Sequence, residues 1–197
     1  MSKLILPQSN IYVPEQRILD KVNPVIVEHF RKGKLIDREV THNGITTVGK
    51  NSLFDVAFRA QTQLTAWYFG LIDNASYSAL ANGDTMSSHA GWIEVTAYDE
   101  STRPQWSPDA ASGGAITNST AVTFNINATK TLKGMFIVSN STKGGTSGVL
   151  WATALFNSDK SVVDDDQICR SVLQHALQGY GPVCYAIDGL GAVAEVA

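Results

Sequence analysis

The sequence predicts a mainly β protein, an antiparallel, jelly-roll-like β-sandwich with one amphipathic helix and an extended N-terminal arm. Three observations carry that expectation. The run AVTFNIN at 121–127 alternates cleanly, with Val122, Phe124 and Ile126 on one face and Thr123, Asn125 and Asn127 on the other, the period of a half-buried strand. Two further apolar runs follow at 131–139 and 148–156, divided by the polar, glycine-rich loop NSTKGGTSG at 140–148. The second of them, GVLWATALF, is apolar on both faces, which marks a central strand. Only residues 50–61 combine helical spacing with a wide apolar stripe.

The chain of 197 residues is 44% hydrophobic and 17% charged, enough apolar material for a core that needs no metal or disulfide staple. Its apolar runs fall well short of the ~20 residues that a membrane helix needs. Pro7 interrupts the N-terminus before a secretory apolar region develops, so neither a membrane span nor export is expected. Net charge is −3, yet residues 1–50 carry eight Lys/Arg against five Asp/Glu. That basic section suits an acidic neighbour, but it lacks the interleaved aromatics of a nucleic-acid surface.

Residues 1–23, with Pro7 and Pro14 and scattered Ile5, Ile11, Tyr12 and Val13, read as an arm that orders on a neighbouring surface. A β-domain is expected over 24–168. It opens with strand-like runs at 24–30 and 34–40 around a hairpin turn whose basic residues Arg31, Lys32 and Lys34 form a solvated tip. Asn43-Gly44 signals a further turn. The helix follows near 50–61, with Leu53, Phe54, Val56, Ala57, Phe58 and Ala60 on its apolar side and Thr47 or Asn51 as cap. It should pack across an open face or end of a sheet. Residues 65–72 return to strand, with Trp67, Phe69 and Leu71 aligned.

The polar interval 73–91 holds the residues that invite a catalytic reading: Asp73, Asp84, Ser87, Ser88 and His89. A hydrolase would join a serine to His89 and Asp84, but neither serine sits in a GxSxG elbow, and triads are assembled from separate elements. The simpler expectation is that Asp84 with Ser87 or Ser88 satisfies loop backbone groups while His89 packs beside Trp92. Trp106, between Pro104 and Pro108, could stack on a sugar; it more simply plugs the edge of the sandwich. Asp164, Asp165 and Asp166 could draw a divalent cation, but they lack calcium-loop spacing and read as a solvated acidic turn. The tail 169–197 has Val172, Leu173, Ala176 and Leu177 at helical spacing, then an apolar end, YAIDGLGAVAEVA at 185–197, that calls for burial against the domain or another subunit. Cys169 and Cys184 read as reduced thiols, their pairing left open. No catalytic, cofactor-binding or metal-binding residue is assigned.

A set of phrases resembles a family of tailed-bacteriophage virion structural proteins: Val48-Gly-Lys-Asn51 with Leu53 and Asp55, Trp67-Tyr-Phe-Gly-Leu-Ile72, and Gly83-Asp-Thr-Met-Ser-Ser-His-Ala-Gly-Trp92 with Glu94. Arg103-Pro104 with Trp106, Ala121-Val-Thr-Phe124, Lys133-Gly-Met-Phe136, Gly144-Gly145 and Leu150-Trp-Ala-Thr-Ala-Leu-Phe156 continue it, over about residues 35–168. Similar proteins tend to finish with one more alternating strand, whereas the chain after Gln167 does not alternate. The resemblance implies assembly rather than catalysis: a component of the phage particle, made in the host cytoplasm. The leading expectation is a capsid decoration or cement protein that binds neighbouring capsid subunits, the major capsid protein among them, as a homo-oligomer, trimer or dimer. The alternatives are a tail or tail-fibre attachment protein and, from another class, a carbohydrate-binding host-recognition module built on Trp106 and the Tyr77 to Trp92 loop.

Overall fold

The computed structural model describes residues 22–112 and 116–172. Residues 1–21 of the expected arm at 1–23, the tail beyond Val172 and Cys184 lie outside the described residues; Val22 and Asn23, expected in the arm, open strand β1. What is described is mainly β with one helix. The elements are β1 (Val22–Arg31), β2 (Lys34–Ile45), α1 (Thr47–Arg59), β3 (Trp67–Asp73), β4 (Glu94–Val95), β5 (Gln105–Trp106), β6 (Val122–Asn125), β7 (Lys130–Val138), β8 (Leu150–Val162) and β9 (Asp166–Val172).

The strands form one curled antiparallel sheet in the order β4-β3-β7-β8-β2-β1-β9-β6, with β5 pairing β3. The curl brings the two ends together. Just past β4, Tyr98 bridges Ile126 just past β6, and Asp99 N–H donates to the Asn125 carbonyl at 2.8 Å. The junction between β8 and β2 is almost as narrow, since only residues 43–45 pair with residues 152–154. Inside the curl lies the main core: Val25 and Val27 of β1, Phe69 and Leu71 of β3, Phe124 of β6, Met135 and Ile137 of β7, Ala152, Ala154 and Phe156 of β8, and Ile168 of β9. The alternating faces of 67–71 and 122–126 thus point inward together. A second, smaller core covers the outer face of β3 and β7, where Ile72, Phe136 and Val138 meet Met86 and Trp92 from the 74–93 loop. Gly70 makes room for it, because a Cβ there would stand 2.1 Å from the Phe136 ring.

Several local expectations need correction. The β1–β2 hairpin turns through Lys32 and Gly33, both at positive φ (50° and 72°), as a two-residue primed turn requires. Its Arg31 is not part of a solvated tip, as described below. Asn43-Gly44 is no turn but the end of β2, where Asn43 pairs with Val22 on one side and Ala154 on the other; pairing on both edges overrides a local turn preference. The helix begins at Thr47, ahead of the expected 50, and its cap is neither Thr47 nor Asn51 but Thr46, whose Oγ1 accepts from Gly49 N–H at 3.0 Å. The expected tail begins as strand β9, which pairs with both β1 and β6, because inter-strand bonds on two sides hold it extended without alternation. Among the described residues, no helix is long and apolar enough to cross a membrane.

Candidate functional site

The 74–93 loop, which holds the catalytic candidates, is occupied with holding itself to the sheet. Asp84 accepts from Ala81 N–H at 3.0 Å and from the Trp92 indole N–H at 2.9 Å. The same carboxylate therefore folds the loop and anchors the large ring that caps the outer core. His89 stacks on Trp92 with ring centroids 3.9 Å apart, and its Nδ1 lies 3.0 Å from the Trp92 carbonyl. Thr85 and Ser87 hydroxyls meet at 3.2 Å. Neither serine is brought to His89 by any hydrogen bond described, and Asp84 is spent on Trp92. Asp73, at the end of β3, is buried and takes Lys130 Nζ at 2.9 Å and Ala75 N–H at 2.9 Å. Together these contacts tie the loop to β3 and β7.

Trp106, one half of the sugar-stacking reading, is half-buried. Paired through β5 with Trp67, it packs against the main core with its ring 6.2 Å from Phe69. Its indole Nε1 is buried without a hydrogen-bond partner. Tyr77, the other half of that reading, is half-buried in the outer core.

The structure also buries charge beneath the 140–148 loop. Arg103 is fully buried between Glu94, to which it donates twice at 2.9 and 2.6 Å, and the carbonyls of Asn140 and Gly145. It also lies 5.3 Å from the Phe136 ring. Gly144 N–H donates to Glu94 at 2.9 Å, so one buried ion pair pins the glycine-rich 140–148 loop to β4. Satisfying both charges with so many hydrogen bonds is what makes their burial tolerable.

A second buried group sits where the β1–β2 hairpin meets the β8–β9 turn. Asp166, expected in a solvated acidic turn, has no exposed surface. It accepts from Arg31 Nε and Nη2 at 2.8 and 2.7 Å and from Val163 N–H at 3.0 Å, and it lies 2.8 Å from His29 Nε2. Burial alone would push its pKa up, but the hydrogen bonds from Arg31, Val163 and His29 outweigh that and bring it down to about 2. Only Asp164 and Asp165 of the triplet are exposed. Beside this group, buried Lys160 of β8 reaches Asp37, and Glu39 at 3.2 Å, both on β2. Here β2 and β8 no longer pair through their backbones, and side chains bridge the gap: Thr41 Oγ1 donates to the Leu155 carbonyl and Asn157 Nδ2 to the Val40 carbonyl. Among the described residues, no group of three or more His, Cys, Asp or Glu side chains could hold a metal ion. Cys169 is not a free thiol in the structure, which corrects the expectation of a reduced cysteine there.

The surface feature that stands out is α1. Its first turn lies so close to β8 that a Cβ on Gly49 would come within 2.5 Å of the Trp151 carbonyl oxygen, and Gly49 is its only buried residue. The expected burial of its apolar stripe is inverted. Leu53, Phe54 and Phe58 are 38%, 47% and 80% exposed, with the Phe54 and Phe58 rings 6.3 Å apart. The side that faces the body carries Val48, Gly49, Ser52 and Val56, residues with little bulk to bury.

In comparison with known proteins, no protein-family model and no curated protein matches the chain.

Proposed function

We propose that this chain is a structural component of a bacteriophage virion, a capsid cement or decoration protein that stabilises the shell by binding neighbouring capsid subunits. The observation that carries the reading is an inversion of roles. The polar residues that invite a catalytic reading, Asp73, Asp84 and His89, are engaged in fixing loops, while large apolar residues of α1 stand in solvent. Such a molecule is built to be stiff and to be touched, not to turn over a substrate. The resemblance of residues 35–168 to virion structural proteins points the same way. In this reading the curled sheet is a jelly-roll-like sandwich, with walls β4-β3-β7-β8 and β2-β1-β9-β6. Its support is that the walls share one core but join through only residues 43–45 at one corner and the Tyr98–Ile126 bridge at the other.

The test is reconstitution. Purified chain is mixed with shells that lack it, and bound protein is measured by co-sedimentation, for the whole chain and for one without residues 1–21, which leaves β1 intact. The whole chain should saturate the shells and the shortened one should bind more weakly with an unchanged melting temperature. Failure of the whole chain to bind, together with its absence from purified mature particles, overturns the proposal.

A further inference from the structure

We infer that the C-terminal tail folds back over the outer face of β1 and β9 and is locked there by a disulfide between Cys169 and Cys184. The inference stands apart from the virion reading, since it concerns this chain alone. Strand alternation divides β1 between two faces: Val25 and Val27 point into the main core, so Ile26, Glu28 and Phe30 point outward. On β9, Ile168 belongs to the core, which turns Cys169 outward. The register sets Cys169 beside Glu28 of β1 and Thr123 of β6, with Thr123 Oγ1 3.5 Å from its Sγ.

The outer face of such a wall would ordinarily be wet, and this one is not. Ile26, Glu28, Phe30 and Cys169 are 4%, 4%, 7% and 3% exposed, and Ile26 and Phe30 belong to neither core. Among the described residues, the elements packed against β1 are its sheet neighbours β2 and β9, and edge-on neighbours do not cover a face. On β2, Arg38 and Val40, the partners of Glu28 and Ile26, are exposed, so the cover is narrow and centred on β1 and β9.

Two observations name the occupant. Cys169 is disulfide-bonded, and the other cysteine of the sequence is Cys184, so the bond brings the tail to this face. The reach is ample: residues 173–183 span roughly 35 Å when extended, whereas Cys169 lies only ~10 Å back along β9 from Val172, and Gly179, Gly181 and Pro182 supply turn-formers. The composition also fits. Beyond Cys184, YAIDGLGAVAEVA is apolar except for Asp188 and Glu195, suited to Ile26 and Phe30, with Arg38 at the rim to meet a carboxylate. The N-terminal arm, by contrast, carries Lys3, Glu15, Arg17, Asp20 and Lys21 and no cysteine. The bond forms when the two Sγ atoms join and pass two electrons and two protons to a disulfide oxidant such as oxidised glutathione, which leaves as two thiols.

The whole chain, held in oxidised glutathione, should run as a monomer on a non-reducing gel, show no thiol reactive to iodoacetamide, and yield on digestion a disulfide-linked pair of peptides holding Cys169 and Cys184. Reduction should lower its melting temperature by roughly 5–10 °C. With Val40 replaced by the photo-crosslinking residue benzoylphenylalanine, irradiation of the oxidised chain should join it to residues 185–197 of the same molecule, with a several-fold lower yield after reduction. Free or glutathione-capped thiols, a disulfide between two chains, or a melting temperature that reduction leaves unchanged overturns the inference. So does a cross-link to residues 1–21 or to another copy, or none at all, for the tail would then not be what covers the face.

Discussion

Replacing Asp166 by Asn tests whether buried charge, rather than apolar burial alone, holds the β1–β2 hairpin to β9. Asparagine keeps the shape but removes the charge that Arg31, His29 and the Val163 N–H converge on. Breaking a buried pair by losing one partner costs about 3–5 kcal/mol. Arg31 is 40% exposed along its side chain and can recover hydration, so the lower end, about 3 kcal/mol, is expected. The pH dependence is the sharper readout. The folded pKa of Asp166, about 2, lies below the ~3.9 of an unperturbed aspartate. Its contribution is therefore complete above about pH 4 and is lost as the pH falls through 2. That interval is worth at most about 2.5 kcal/mol, reduced by solvent around Arg31. Urea unfolding between pH 5 and pH 2 should show wild-type stability falling more steeply below pH 4 than that of Asp166→Asn, the two curves converging in acid. Parallel curves through that window would show that the carboxylate is protonated alike in both states and would falsify the argument.

Other expectations follow from the same geometry. Arg103→Met leaves Glu94 buried without its cation and frees the 140–148 loop, so stability should fall by about 3–5 kcal/mol and proteolysis within that loop should accelerate; Arg103→Lys should not rescue it, because donors on a single nitrogen cannot reproduce the planar fork that pairs Glu94 twice and reaches two carbonyls besides. Gly49→Ala gains up to about 1 kcal/mol of helix propensity but drives a Cβ into the Trp151 carbonyl, a backbone atom that cannot swing aside; a net loss of about 1–2 kcal/mol in thermal unfolding is expected, and a stabilised protein would refute the close approach. Trp106→Ala should cost less than the about 3–5 kcal/mol of a fully buried tryptophan, since its ring is half-buried against the core, and leave binding to host glycans, measured on an array, no different from wild type.

The strands were legible because alternation is a property of the residues themselves. Val122, Phe124 and Ile126, or Trp67, Phe69 and Leu71, announce an inward face whatever lies opposite. The same rule, carried further, would have found the charged groups. On β1 the inward series Val25, Val27 continues to His29 and Arg31, and Val27 and Ile168 both lie in the core, so period 2 alone takes His29 inward and, two residues before Ile168, Asp166. Lys160 likewise shares a face with Val162. Arg31 and Asp166 were read instead by residue type, as part of a basic tip and of an acidic turn, because an ionisable side chain is seldom buried unless paired. The partner is the missing information: Asp166 lies 135 residues from Arg31, and Arg103 binds carbonyls on a loop about 40 residues on. Nothing local encodes those meetings; the strand register does.

The helix was misread for a different reason. Its stripe of Leu53, Phe54, Ala57 and Phe58 says that an apolar face exists, and the inference that this face lies on the chain's own sheet assumes a monomer. Gly49 carries the contrary signal, for a glycine inside a helix costs about 1 kcal/mol relative to alanine and is retained where backbone must approach backbone. Here it marks the side on which α1 meets β8, and that side is away from the phenylalanines. A helix whose glycine faces its own domain and whose aromatic rings face outward is attached through close backbone approach and not through its bulky apolar side chains. The cost of leaving those rings in water is a few kcal/mol, small enough for the core around Phe69 and Phe124 to sustain, and it is recovered when the face is covered. On that account Phe54 and Phe58, 47% and 80% exposed, should be dispensable to folding of the isolated chain: replacing both by serine should leave its melting temperature nearly unchanged.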